Sequence, residues 1–205
     1  MRKVCIVDYG LCNLDSVARA IEECGGEPLV THRPEDLRSC DRMVIPGVGA
    51  FGKAVENLRR DGLDQAIVEE RGRRELPVLG ICLGMQLLAD ASEEGGESRG
   101  LGLIPGRVVR LERKEARERV PHVGWNEIEI VGRHRLLEGL QSGSNFYFVH
   151  SYHFRPAEKA SVVAATPYCG QFASVVAQGN VMGVQFHPEK SQKAGFQLLR
   201  NFLAF

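Results

Sequence analysis

Pro77-Val78-Leu79-Gly80-Ile81-Cys82-Leu83-Gly84-Met85-Gln86 runs from a short apolar strand directly into a helix, with a cysteine at the junction. Pro77–Ile81 is uncharged and apolar throughout, the pattern of a strand buried on both faces. Leu83–Ala89 opens a helix behind it. The five residues Gly80-Ile81-Cys82-Leu83-Gly84 fit the G-x-[S/C]-x-G turn, in which a nucleophile sits on a tight bend. Bulky neighbours would clash there, and glycines two residues to either side do not.

Outward from this turn, apolar runs alternate with amphipathic stretches. Val4–Val7 reads as a strand, and Asn13 is placed to cap a helix running to about Cys24, where Gly25-Gly26 stops it. Pro28–Thr31 and Met43–Ile45 read as strands, and Gly52–Arg60 and Leu63–Arg71 as helices. Such alternation implies βαβ units around a mostly parallel sheet with helices on both faces. The second half differs. Val108–Leu111, Asn126–Val131, Phe146–Val149, Val162–Ala165, Ser174–Gln178 and Val181–Phe186 read as strands with short connections, an antiparallel extension before a last helix at about Gln192–Leu203. The charge run 110–119 reads as a solvated strand end or loop, and 93–100 as a surface loop. With no repeat or linker, residues 1–205 are expected to form a single domain.

The 26 Lys and Arg balance the 26 Asp and Glu, which argues against nucleic acid or an anionic membrane as the main partner. None of the six cysteines (Cys5, Cys12, Cys24, Cys40, Cys82, Cys169) forms a C-x-x-C pair. In apolar company such as Val4-Cys5-Ile6 a reduced cysteine behaves as a small buried hydrophobe. The apolar run after Met1-Arg2-Lys3 is too short for a signal peptide or a membrane span. A reduced, cytoplasmic enzyme or enzyme subunit is the expectation.

A cysteine nucleophile at a helix N-terminus gains from the dipole and free N–H groups, which lower a thiol's pKa from about 8.5. The N–H of Leu83 points where an oxyanion would form. The cysteine needs a histidine to take its proton, and the histidine needs an orienter. Of His32, His122, His134, His150, His153 and His187, only His187 ends an apolar strand and is followed by Pro188-Glu189. Pro188 biases His187 toward extended geometry, and residues two apart then project to one side, so Glu189 can hold the far ring nitrogen. A metal site using His150 and His153 lacks H-E-x-x-H or cysteine support, and no metal or cofactor is expected.

Gly47-Val48-Gly49-Ala50-Phe51-Gly52 matches the dinucleotide-binding G-x-G-x-x-G. It follows what reads as the third strand, has Pro46 before it, and lacks a strand-end acid about twenty residues on. Its better use is as a peptide whose N–H groups, at Val48 and Gly49, complete an oxyanion hole with Leu83, each donor worth about 3 kcal/mol.

Together, Pro46-Gly47-Val48-Gly49, Gly80 to Gln86 and His187-Pro188-Glu189 resemble the class I (triad) glutamine amidotransferases. The resemblance implies a flavodoxin-like mixed sheet and a triad of Cys82, His187 and Glu189. It also implies L-glutamine held by Gly47, Gln86 and the backbone around His150, Ser151 and Tyr152. Finer segments, Asp8 to Asn13, Val120 to Asn126, Tyr147 to Tyr152 and Gly183 to Ser191, look like the glutaminase subunits of imidazole glycerol phosphate synthases. One departure is Cys12, where that family commonly has glycine. The family feeds ammonia to a (β/α)8-barrel cyclase subunit in a heterodimer. By resemblance Asn13, Trp125, Tyr147 and Lys190 would face that cyclase. The chain itself has no phosphate-binding lysine loop, so the ammonia acceptor must bind elsewhere. The alternatives are a glutaminase subunit for pyridoxal phosphate, anthranilate or GMP synthesis, a free-standing thiol hydrolase, or a non-catalytic protein that keeps the fold.

Overall fold

The computed structural model describes residues 1–205. Its first half alternates β1 (Arg2–Val7), α1 (Leu14–Glu23), β2 (Gly26–Thr31), β3 (Arg42–Ile45), α2 (Phe51–Arg60), α3 (Leu63–Arg74), β4 (Val78–Ile81) and α4 (Leu83–Leu87). The second half is nearly all strand: β5 (Ala91–Ser92), β6 (Ser98–Arg99), β7 (Gly106–Arg110), β8 (His122–Ile130), β9 (Ser144–His150), β10 (Tyr152–Pro156), β11 (Val162–Thr166), β12 (Phe172–Gln178) and β13 (Val181–Val184). α5 (Gln192–Leu203) closes the chain.

Nine strands form one mixed sheet in the order β2-β1-β3-β4-β13-β12-β11-β8-β9. The neighbours from β2 to β13 are parallel, and the pairs from β13 to β9 are antiparallel. The order 2-1-3-4 is that of a flavodoxin-like sheet, in which ligands sit beyond the carboxyl ends of the strands at the β1/β3 reversal. Period-2 alternation explains the two layers. Val4, Ile6, Val44, Leu79 and Ile81 face a core closed by α1 and α5, and Cys5, Val7, Met43, Ile45 and Val78 face one closed by α2, α3 and α4. No helix is long and apolar enough to cross a membrane.

Four features differ from expectation. β10, β7, β5 and β6 form a second, four-stranded sheet. Its two-residue strands carry no periodic signal, and β10 reads as polar because only Phe154 is fully buried. α4 ends at Leu87 after five residues, and β13 ends at Val184. Asn13 holds the N-cap position of α1 but its side chain makes no capping bond. Cys5 and Cys40, expected as separate reduced thiols, are joined in a disulfide with Cα atoms 5.8 Å apart. The short 3-10 turn at Pro34–Ser39 brings Cys40 alongside β1.

The approach of β3, β4 and α4 requires glycine. A Cβ on Gly84 would collide with the carbonyl oxygen of Ile45, and one on Gly80 would lie 2.5 Å from the carbonyl oxygen of Gly84. Gly84→Ala is expected to lower stability by about 2–3 kcal/mol, read as a reduced denaturant midpoint at unchanged slope. A wild-type midpoint would show that α4 can lift off β3 freely.

Candidate active site

Cys82 adopts φ 54° and ψ −107°, a backbone conformation that a residue with a side chain rarely takes. Two hydrogen bonds hold it there. Its N–H donates to the carbonyl of Val184 on β13 at 2.8 Å, and its own carbonyl accepts from Gln86 N–H at 3.3 Å. The turn presents the thiol at the carboxyl end of β4, beside the residues that follow β13.

Those residues include His187. Its N–H donates to Tyr147 O at 2.9 Å, and Ser191 Oγ donates to its carbonyl at 2.6 Å while accepting from Tyr147 N–H at 3.0 Å. His187 is extended, as its proline neighbour predicts, but the return of Glu189 is achieved by a 3-10 turn over Pro188–Lys190. Glu189 Oε1 thereby lies 2.8 Å from His187 Nδ1, with both side chains almost wholly buried. The carboxylate fixes the proton on Nδ1, leaving buried Nε2 without a well-aligned partner. Burial pushes the imidazole pKa down, but the Cys82 thiol and Glu189 outweigh it and raise the value to about 10. Glu189 thus pairs with His187, and Cys82 lies beside that imidazole.

The sulfur is held on two other sides. Cys82 Sγ lies 3.8 Å from Val149 O, its acceptor while the thiol is protonated, and Gln185 Nε2 lies 3.8 Å from the same sulfur. Beside it opens a cleft of about 230 Å³ lined by Val48, Gly49, Cys82, Leu83, Gln86, Glu94, Val149, His150, Ser151 and Tyr152. Glu94, read from sequence as part of a surface loop, is thus a cleft residue. Its Oε2 accepts the N–H of Phe51 at 2.9 Å. That carboxylate occupies the α2 N-terminus where a dinucleotide phosphate would sit, which disposes of the G-x-G-x-x-G alternative.

The oxyanion donors are not arranged as expected. Val48 N–H donates to Leu11 O at 2.7 Å, and Leu83 N–H donates to Gly47 O at 3.3 Å. Two of the three proposed donors are consumed by the protein itself because the Gly47–Val48 peptide turns its carbonyl, not its N–H, toward the elbow. Cys12 lies under this loop, its thiol 3.3 Å from Pro46 O, with its pKa raised by burial to about 11. The left-handed residue of that turn is Gly10, with φ 80°, so a cysteine at position 12 fits without backbone strain.

His150 lines the cleft through its backbone while its ring turns inward. Its Nδ1 donates to Tyr152 O at 2.9 Å and its Nε2 lies 3.0 Å from His122 Nδ1. Burial drives both pKa values down, to about 3 for His150 and about 4 for His122, so both rings stay neutral. Among the expected interface residues, Trp125 stacks edge-on against Tyr147 at 6.1 Å, and Lys190 Nζ lies 5.8 Å from the Tyr147 ring centroid. Asn13 is exposed at the start of α1.

The glutamine amidotransferase class-I profile matches residues 5–204. The chain belongs to that family. It is 46% identical to the imidazole glycerol phosphate synthase subunit HisH of Moorella thermoacetica, over 98% of this chain and 94% of the relative. It is 43% identical to HisH of Chromobacterium violaceum, over 99% and 98%. A solved glutamine amidotransferase superposes with a TM-score of 0.77 over 98% of this chain and 97% of the other at 23% identity. The PurLQS structure from Thermotoga maritima does so with 0.78, over 100% and 99% at 19% identity. At such identities these structures speak to fold alone, whereas the HisH relatives place the chain among the HisH subunits.

His187, with a folded pKa near 10 against about 6.5 when unfolded, contributes stability that is complete below pH 6.5 and lost as pH rises through 10. Glu189→Gln removes one cause of the elevation. The stability gap between wild type and Glu189→Gln, measured by denaturant unfolding, is expected to be widest near pH 6.5 and to close toward pH 10. A gap independent of pH would mean that Glu189 does not stabilise the imidazolium.

Proposed function

We propose that residues 1–205 act as one glutamine amidotransferase domain, the glutaminase subunit of an imidazole glycerol phosphate synthase in histidine biosynthesis. The reading rests above all on the buried His187–Glu189 pair at 2.8 Å beside a thiol held in a left-handed turn. The carboxamide of L-glutamine enters the cleft with Gln86, Gly47 and the backbone of His150, Ser151 and Tyr152 around it. Glu94 offers a carboxylate to the α-ammonium group.

In the reaction the thiol proton resides on His187 Nε2, and the Cys82 sulfur, as thiolate, bonds to the amide carbon. The resulting oxyanion is met by N–H groups of Val48 or Gly49 and of Leu83. The imidazolium then returns its proton to the amide nitrogen, the C–N bond breaks, and ammonia leaves a glutamyl thioester. Water, deprotonated by His187, attacks the thioester carbon, releases glutamate and restores the thiol.

The ammonia passes to a cyclase subunit with a (β/α)8 barrel, the other half of a heterodimer. There it completes imidazole glycerol phosphate and aminoimidazole carboxamide ribotide. A patch on β8 and β9 supports such a partner. Val123 faces Val149 and Trp125 faces Tyr147 across the two strands, and all four stand on one sheet face with Val123 57% and Trp125 50% exposed. Exposed apolar pairs of this kind mark a surface built to be covered.

Uncontrolled hydrolysis would waste ammonia, and the occupied oxyanion donors suit a resting state. Turning over the Gly47–Val48 peptide frees Leu83 N–H and carries Val48 N–H toward the elbow in one step, so cyclase occupancy gates the site through this peptide. The glutaminase rate is expected to rise by at least tenfold when cyclase and its ligand are added, and equal rates would sink the gating. In a coupled assay with the cyclase, Cys82→Ala should abolish glutamine-dependent product and leave ammonia-dependent product intact. Loss of both would assign Cys82 to assembly and not to chemistry.

A further inference from the structure

Gln185 is completely buried, and the proposed chemistry leaves it unused. It precedes His187 by two residues on the bend that follows β13, with its amide nitrogen 3.8 Å from the Cys82 sulfur, while Val184 and Phe186 pack into the core closed by α1 and α5. A buried amide is costly to desolvate unless its hydrogen bonds are met, and an apolar residue would fill the same volume without that cost. Its partners therefore matter.

They form a single chain whose direction is set by one carbonyl. Tyr152 O can only accept, so the Gln86 atom 2.8 Å from it is the amide nitrogen. That nitrogen's second proton points to Gln185 at 3.1 Å, which makes the Gln185 atom there the oxygen. The Gln185 nitrogen is consequently the atom 3.8 Å from Cys82 Sγ. The same carbonyl also orients the other side. It accepts from His150 Nδ1, so His150 Nε2 accepts from His122 Nδ1, and His122 Nε2 accepts from Asn126 Nδ2 at 3.2 Å. No member can reverse without stranding the next.

We propose that Gln185 is a positioning residue for the nucleophile: its amide N–H, aimed by Gln86 and the Tyr152 carbonyl, holds the Cys82 sulfur and favours its thiolate. This deepens the glutaminase reading and rests on Cys82 being the nucleophile. When the thiol ionises it loses its bond to Val149 O and is left facing a carbonyl dipole. The Gln185 donor, 3.8 Å from the sulfur, is retained. The other titratable groups around the sulfur are His187 with Glu189 behind it, the Tyr9 phenol, His150, and Glu94 across the cleft. All of them are retained when Gln185 alone is changed.

Gln185→Met keeps the volume and removes the donor. The pH midpoint for alkylation of Cys82 by iodoacetamide is expected to rise by about one unit, the equivalent of a tenfold loss in thiolate preference, with kcat for glutamine falling about tenfold and KM little changed. A midpoint within about 0.2 units of wild type overturns the proposal. Wild-type protein with 15N-labelled glutamine side chains gives a second measurement that needs no variant to fold. One Nε2 proton of Gln185 should titrate with the alkylation midpoint and become pH-independent once Cys82 is alkylated. An amide resonance blind to that titration also overturns it. If Cys82→Ala keeps glutaminase activity, the reading of function fails; if Cys82→Ala is inactive and the Gln185 measurements are flat, only this inference does.

Discussion

Cys82 stays in a left-handed backbone conformation because its N–H reaches the carbonyl of Val184, at 2.8 Å, across the parallel β4–β13 pair. Conformations of this kind cost of order 1–3 kcal/mol and persist only when the surroundings leave no alternative. Here the alternatives are removed by contact. Gly84 lies against the Ile45 carbonyl, Gly80 against Gly84, and a Cβ on Gly183 would lie 2.7 Å from Met85 Cγ. The strand that supports the elbow also leads into Gln185 and His187. β13 thus holds the backbone of Cys82, and the bend that leads out of it carries the two side chains that flank the sulfur.

The electrostatics follow from that placement. A histidine buried to this extent would ordinarily be neutral, as His122 and His150 are. His187 differs only in its company, a carboxylate on one nitrogen and a thiol beside the other, and these reverse the sign of its shift. Three buried imidazoles within one layer are therefore divided between two tasks. His187 carries charge, and the His122–His150 pair transmits hydrogen-bond direction without carrying any. A charge on His150 would oppose that on His187.

Much of this was legible in the sequence because the relevant signals are local. An apolar pentapeptide before G-x-C-x-G, a glycine loop after Met43–Ile45, and His-Pro-Glu after an apolar run each state their geometry within a few residues. The mixed sheet was legible for the same reason, since β-strand runs and amphipathic stretches alternate in the first half only. What escaped depends on contacts between distant segments. Glu94 reaches the cleft through an N-terminal cap on α2, some forty residues away along the chain. Cys40 meets Cys5 because a 3-10 turn redirects the chain. The Val48 and Leu83 N–H groups bond within the protein because peptide orientation is independent of residue type once glycine allows both senses. Gln185 had a readable sign, its spacing of two from His187, that only its buried partners made meaningful.

The resting state of the oxyanion loop can be weighed. Turning over the Gly47–Val48 peptide sacrifices two backbone hydrogen bonds, Val48 to Leu11 and Leu83 to Gly47. Each is worth about 1 kcal/mol net, which sets the productive arrangement about 2 kcal/mol above the resting one and populates it at a few per cent. On the proposed reading, that population is low enough to silence most hydrolysis and close enough to be recovered by modest forces. Moving such an equilibrium from one extreme to the other takes about 5.5 kcal/mol of differential binding, within reach of a partner that covers Val123, Trp125, Tyr147 and Val149. Val149 is the decisive member of that patch, because its side chain belongs to the exposed face and its carbonyl holds the resting thiol. A partner pressing on β9 acts on the sulfur's acceptor directly, and on the proposed reading docking and nucleophile activation are coupled through one residue.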